Sequence, residues 1–240
     1  MSNHPDMQEI SPDVAAKTAL HAMLSSNSYH KDDRVRFPVE KLGWIQVDLE
    51  GKPTTEPTRL HSLSGLAFDI FGKRETDDVV FAFRGTDGGS DFLFANFAVP
   101  PLNLQYTQAR KEFQKYWTAN KNKNIAVTGH SLGGGLALSI SVHFGIAAIT
   151  FDSSPRIFDG FGDRHAPAER VVIYEDGEVL EPVRRHWKKI AKVVPRGNFY
   201  RCSFDFSGSQ HRIGLLAQGL LVLGAQVNPE LDPVRNAFAA

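Results

Sequence analysis

The chain has 240 residues, 42% of them hydrophobic, and its 27 basic and 27 acidic side chains cancel to zero formal charge. That composition supports one sizeable core, read here as a single domain over residues 1–240, and argues against bulk electrostatic capture of nucleic acid. Cys202 stands alone, so no intrachain disulfide can form. The first ten residues have neither the basic start nor the apolar run of a secretory signal. A cytoplasmic chain is expected, with any export using no cleavable signal.

In chain order, Asp13 to Ser25 reads as an opening helix with Pro12 near its start, a position proline favours. Residues 26–43 are polar and irregular. Trp44 to Leu49 alternates as a half-buried strand does, and Gly51-Lys52-Pro53 follows as a turn. Ser64 to Phe71 and Val79 to Phe83 read as strands separated by a charged turn. After them comes a greasy stretch with Phe92, Leu93, Phe94 and Phe97. It suits either a lid and acyl-chain wall or a helix packed into the core. Leu104 to Ala119 reads as a helix with Tyr106, Ala109, Phe113 and Tyr116–Trp117 on one face.

A strand at 125–128, a helix from Leu136 to Phe144 and a buried strand from Ile146 to Phe151 come next. Glu169 to Tyr174 and Asn198 to Phe204 are two more strands. Between them, Val183 to Val194 is amphipathic at helical period. It is read first as a surface helix with solvated lysines, and alternatively as a segment resting on an anionic membrane. A closing helix starts near His211, and Ile213 to Val227 is uncharged but too short to span a bilayer. Strands alternating with helices predict an α/β fold: a mostly parallel, doubly wound sheet with helices on both faces and antiparallel strands early in the chain. Ligands of such sheets bind outside the carboxyl ends of the strands. Ser131, Thr86, Asp152, residues 175–178 and the loop before His211 all fall at such ends.

Residues 127–137, Val-Thr-Gly-His-Ser-Leu-Gly-Gly-Gly-Leu-Ala, place Ser131 between Gly129 and Gly133 at the spacing of a nucleophile elbow. A serine on a tight strand-to-helix turn is pushed out of the chain, where its Oγ can reach a substrate. The following helix aims its unpaired N–H groups at the same place, so the N–H of Leu132 is the expected oxyanion donor. Serine needs a base and the base needs a carboxylate. Of nine histidines, only His186 and His211 follow a suitable acid loop, and His211, after a Gly-Ser-rich loop, is the expected base. The acid lies among Glu175, Asp176 and Glu178, with Asp152 a remote alternative.

Three segments together resemble the class 3 lipases, the fungal triacylglycerol lipase type of α/β-hydrolase, and in particular bacterial lipase-like proteins. They are Val79-Val-Phe-Ala-Phe-Arg-Gly-Thr, the Gly-His-Ser-Leu-Gly-Gly elbow, and Phe151-Asp-Ser-Ser-Pro-Arg, covering roughly residues 60–215. The resemblance implies an α/β-hydrolase fold and makes Thr86 the second oxyanion donor. Fungal members carry Asn-Asp-x-Val at the acid, and setting Gly177 to Leu180 on that pattern makes Glu178 the catalytic acid. That departs from the family in side-chain length, with Asp176 as the alternative.

The expectation is thus a serine hydrolase acting on lipid carboxylic esters through an acyl-enzyme on Ser131. An acyltransferase and a non-catalytic binding protein on the same scaffold are the alternatives. No metal or nucleotide motif is present, so no cofactor is expected. The expected partners are a lipid or ester substrate and, transiently, an anionic membrane surface.

Overall fold

Residues Asp78–Phe83 (β5) show how the core is divided. Val79, Phe81 and Phe83 point to one face of the sheet, while Val80 and Ala82 point to the other, and each set joins a separate buried cluster. Strand side chains alternate between faces, so a strand buried on both sides reads as a continuous apolar run. The computed structural model describes residues 7–30, 35–60, 64–85, 101–154, 168–181, 190–204 and 211–239.

The other strands are Gln8–Glu9 (β1), Trp44–Val47 (β2), Arg59–Leu60 (β3), Ala67–Lys73 (β4), Asn124–His130 (β6), Ala147–Phe151 (β7), Arg170–Glu175 (β8) and Phe199–Cys202 (β9). They form one sheet in the order β1-β9-β8-β7-β6-β5-β4-β2, with β3 also pairing β4. β2, β3 and β5 each pair β4 antiparallel, and every pairing from β5 through β9 to β1 is parallel. This is the α/β-hydrolase type of mostly parallel sheet, with its antiparallel strands early in the chain as expected.

The helices are Pro12–Asn27 (α1), Pro101–Ala119 (α2), Leu132–Phe144 (α3), Ile190–Val193 (α4), Ile213–Gly224 (α5) and Asp232–Ala239 (α6). α1 begins where Ser11 accepts a hydrogen bond from the Val14 N–H and Pro12 fills the first turn. Ser11 thereby satisfies a donor the helix cannot pair internally, and Pro12 brings none to be satisfied. α1 and α5 cover one face together with Phe37 and Trp44; α2 and α3 cover the other with Phe113, Tyr116 and Leu136. At the α1–α5 crossing a Cβ on Gly224 would sit 2.7 Å from the Ala16 backbone, so only glycine allows the approach.

Several boundaries differ from the sequence reading. β4 starts at Ala67 rather than Ser64, because Gly65 turns the chain at φ +69°. α3 starts at Leu132, directly after the elbow, four residues before its apolar run. The apolar run beyond Gly224 belongs to a turn rather than to α5, and α6 follows it unanticipated. Of the amphipathic segment, Ile190 and Val194 are buried in the core while Lys192 is exposed. Its described end therefore packs inward, and residues 183–189 lie outside the described residues. Among the described residues no helix is long and apolar enough to cross a membrane.

Candidate active site

Parallel register brings the carboxyl ends of β5 to β9 to one edge. Phe83 is level with Gly129, His130 with Phe151, Phe151 with Ile173, and Glu175 with Cys202. Ser131 follows β6 at φ +57°, ψ −126°, a region that L residues avoid. Holding a non-glycine residue there costs on the order of 1–3 kcal/mol, which the surroundings must impose. They do so through backbone bonds. The Ser131 N–H donates to the Phe151 carbonyl at 3.0 Å, and its own carbonyl accepts from Ser154 N at 2.8 Å and Gly135 N at 3.2 Å.

The flanking glycines make the turn possible. A Cβ on Gly133 would lie 2.1 Å from the Phe83 carbonyl oxygen, and one on Gly129 would lie 2.4 Å from the Gly133 backbone. The elbow therefore pins β5, β6 and α3 into contact closer than any side chain permits. It also sets the start of α3, whose first N–H belongs to the buried Leu132, beside Ser131. Thr86, and likewise Phe92, Leu93, Phe94 and Phe97, lie outside the described residues.

β8 ends in Glu175, and the chain then turns at Gly177 with φ +74°. The turn separates the three candidate acids. Asp176 is exposed, whereas Glu178 is sealed at 1% exposure and Glu175 at 4%. Glu178 Oε2 accepts from His211 Nδ1 at 2.8 Å and from the Leu180 N–H at 2.9 Å. Of the three, Glu178 is thus the carboxylate bonded to the histidine. Bonding at Nδ1 fixes the tautomer that leaves the Nε2 lone pair available. Among the described residues, Ser131 Oγ and His211 Nε2 are both buried without a hydrogen-bond partner. A base-assisted attack by a serine needs such a pair, one hydroxyl and one imidazole nitrogen left available for its proton.

Two further groups surround the pair. The His130 ring stacks obliquely on that of His211, with centroids 4.5 Å apart. His130 Nδ1 bonds the Tyr29 hydroxyl at 3.0 Å, and the same hydroxyl accepts from the Gly85 N–H at 3.2 Å. Tyr29 thereby ties the segment just after β5 to the residue before Ser131. On the other side of His130, Asp152 Oδ2 lies 3.8 Å from Nε2. Asp152 holds φ +41° at the end of β7, and its Oδ1 accepts the Glu175 N–H at 2.8 Å.

Sequence reasoning weighed Asp152 only as a remote acid and did not single out Tyr29 or His130. His130 was visible inside the elbow motif. Tyr29 lies about a hundred residues away from it and carries no motif.

The carboxylates make this edge strongly negative. Glu175 is pushed up to about 7, first by burial and then by the charge of Glu178. The Cys202 thiol is raised far above its ordinary range by burial and by Asp152, Glu175 and Asp176, so it stays protonated and inert. Ser131 has no thiolate rival here.

Against known proteins, residues 20–181 match the model of the Tle-like phospholipase domain. The chain belongs to that family. It is a carboxylic ester hydrolase of lipids. No curated protein matches it in sequence. Its fold is similar to that of the lipase from Rhizopus microsporus var. chinensis, with TM-score 0.55 at 13% identity over 85% of this chain and 78% of that one. Lipase II from Rhizopus niveus is similar at TM-score 0.51, 14% identity and 82% coverage of each chain. Lip2 lipase from Yarrowia lipolytica is similar at TM-score 0.50 and 12% identity, over 87% of this chain and 84% of that one. At such identities the likeness concerns the fold, and the site stands on its own geometry.

Proposed function

We propose that this phospholipase-like chain hydrolyses lipid esters through an acyl-enzyme on Ser131. Ser131 Oγ attacks the ester carbonyl carbon, and His211 Nε2 takes its proton. Glu178 holds the imidazole in register and offsets the charge it acquires. The tetrahedral oxyanion lies against the N–H of Leu132 and, on the family pattern, Thr86. Collapse expels the alcohol, which receives its proton from His211. Water then repeats the sequence on the acyl group and frees Ser131. The observation that carries this reading is the Glu178–His211 bond, which holds the imidazole by Nδ1 while His211 Nε2 and Ser131 Oγ are both buried without a hydrogen-bond partner among the described residues.

Residues 92–97 supply apolar side chains after the oxyanion strand, which favours esters with acyl chains over small polar ones. A glycerophospholipid presented at a membrane surface fits both this feature and the basic residues of 184–192. The test compares wild type with Ser131→Ala on a short chromogenic ester and on phospholipid vesicles. Hydrolysis and fluorophosphonate labelling are both expected to vanish in the variant while the circular dichroism spectrum is unchanged. Residual turnover at the parent rate would overturn the reading. A faster reaction with an added alcohol than with water would instead mark an acyltransferase.

A further inference from the structure

His130, Asp152 and His211 each present a ligand-capable atom to one small volume, and these atoms all lie within 4.8 Å of one another. They come from the end of β6, the residue after β7 and the segment just before α5, and each is held from behind. His130 Nδ1 bonds the Tyr29 hydroxyl, His211 Nδ1 bonds Glu178, and Asp152 Oδ1 accepts the Glu175 N–H. This is the outer-shell arrangement of metal-binding histidines, in which a partner at one ring nitrogen fixes the tautomer and aims the other. The buried carboxylates of Asp152 and Glu178 add the negative potential that a cation requires.

We infer that His130 Nε2, Asp152 Oδ2 and His211 Nε2 form a site for a borderline transition-metal cation of the Zn2+ type, and that its occupancy silences the hydrolase. Two imidazoles and one carboxylate are a common donor set for Zn2+, with a fourth position left to water. Tetrahedral binding needs donor spacings of roughly 3.3 Å, so the site closes by about an ångström of side-chain movement. The metal would take the Nε2 lone pair that must otherwise accept the Ser131 proton. No bond of the substrate changes and no electron is transferred. Binding stands on the geometry of these three residues alone, while silencing rests on the acyl-enzyme reading above.

The test titrates Zn2+ into the metal-stripped full chain by calorimetry, in wild type, Ser131→Ala, Asp152→Asn and His130→Gln. Wild type and Ser131→Ala are expected to bind one ion alike. The other two variants are expected to lose at least about tenfold in affinity, whether or not they turn over substrate. Co2+ in place of Zn2+ should give visible absorption bands in Ser131→Ala that disappear in Asp152→Asn. If Asp152→Asn fails to fold, His130→Gln carries the comparison. Saturating Zn2+ should abolish ester hydrolysis by wild type, and a chelator should restore it. Absence of binding by the folded protein, or undiminished binding in both ligand variants, overturns the site. Full turnover at saturation overturns the silencing. A wild type that binds Zn2+ but never hydrolyses an ester sinks the functional reading and leaves the metal site standing.

Discussion

The two ends of the same parallel sheet treat polar groups in opposite ways. At the amino ends, Lys123 pairs with Asp77 at 2.9 Å in the open, and Asn124 donates to the half-buried Asp78. A large charge sealed there, Arg170, is bonded on several sides: Nε to Ser141 Oγ at 2.8 Å, Nη1 to the Val193 carbonyl at 2.7 Å, and Nη2 to the Ser141 carbonyl. At the carboxyl ends, two carboxylates crowd together in burial, and a serine hydroxyl and a histidine nitrogen are sealed without partners among the described residues. Leaving buried polar groups under-satisfied costs stability. Among the described residues the carboxyl edge bears that cost at Ser131 and His211, and such under-satisfied polar groups are what a site of chemistry carries.

Substitutions at the two ends should therefore separate activity from stability. The largest effect is expected for Glu178→Gln, which keeps the shape but loses the charge that orients His211. Turnover should fall on the order of 10³–10⁴-fold with the melting temperature little changed. Asp176→Asn, at the exposed neighbour, should stay within about threefold. Equal losses in both variants would dissolve the distinction that burial draws between them.

Next comes Arg170→Met at the opposite end. It removes the donors to the buried Ser141 hydroxyl and to the Val193 carbonyl and should cost about 3 kcal/mol in denaturant unfolding. Turnover per folded molecule should be preserved. A variant as stable as the parent would show that the buried guanidinium is replaceable.

Glu175 offers a test by pH. Its folded pKa of about 7 exceeds the ordinary 4.5, so between these values the folded state holds a proton that the unfolded chain releases. Its contribution to stability is present below the lower value and is lost as pH rises through the upper one. Glu175→Gln removes that loss. Relative to the parent, its urea midpoint should rise between pH 5 and pH 8, and a constant difference would count against a buried, proton-holding Glu175. The smallest effect belongs to Lys123→Ala, whose exposed pair should be worth under 1 kcal/mol.

What could be read in advance divides along the same line. The elbow was legible because its glycines are demanded by backbone contacts at fixed offsets, so the geometry is written in adjacent letters. His211 was legible by order, since it follows a strand and a glycine-serine loop. Glu178 and Asp176 could not be told apart by residue type, because the φ of Gly177 decides which carboxylate turns inward. Asp152 and Tyr29 were harder still. One depends on a left-handed backbone at a non-glycine residue, the other on a contact between the end of α1 and β6. β1 and β3, with two residues each, are too short for any alternation to show.

The wide spacing of Ser131, Glu178 and His211 along the chain has a kinetic consequence. Ser131 follows β6, Glu178 lies just past β8 and His211 stands before α5, so the arrangement that unites them exists only once β6, β7, β8 and β9 have all docked. Such distant pairings form slowly, because the entropy of closing the intervening loops must be overcome before any contact rewards it. A partly folded chain can thus possess its helices and its elbow and still have no oriented base. Completion of the sheet is what brings the Glu178 carboxylate to His211.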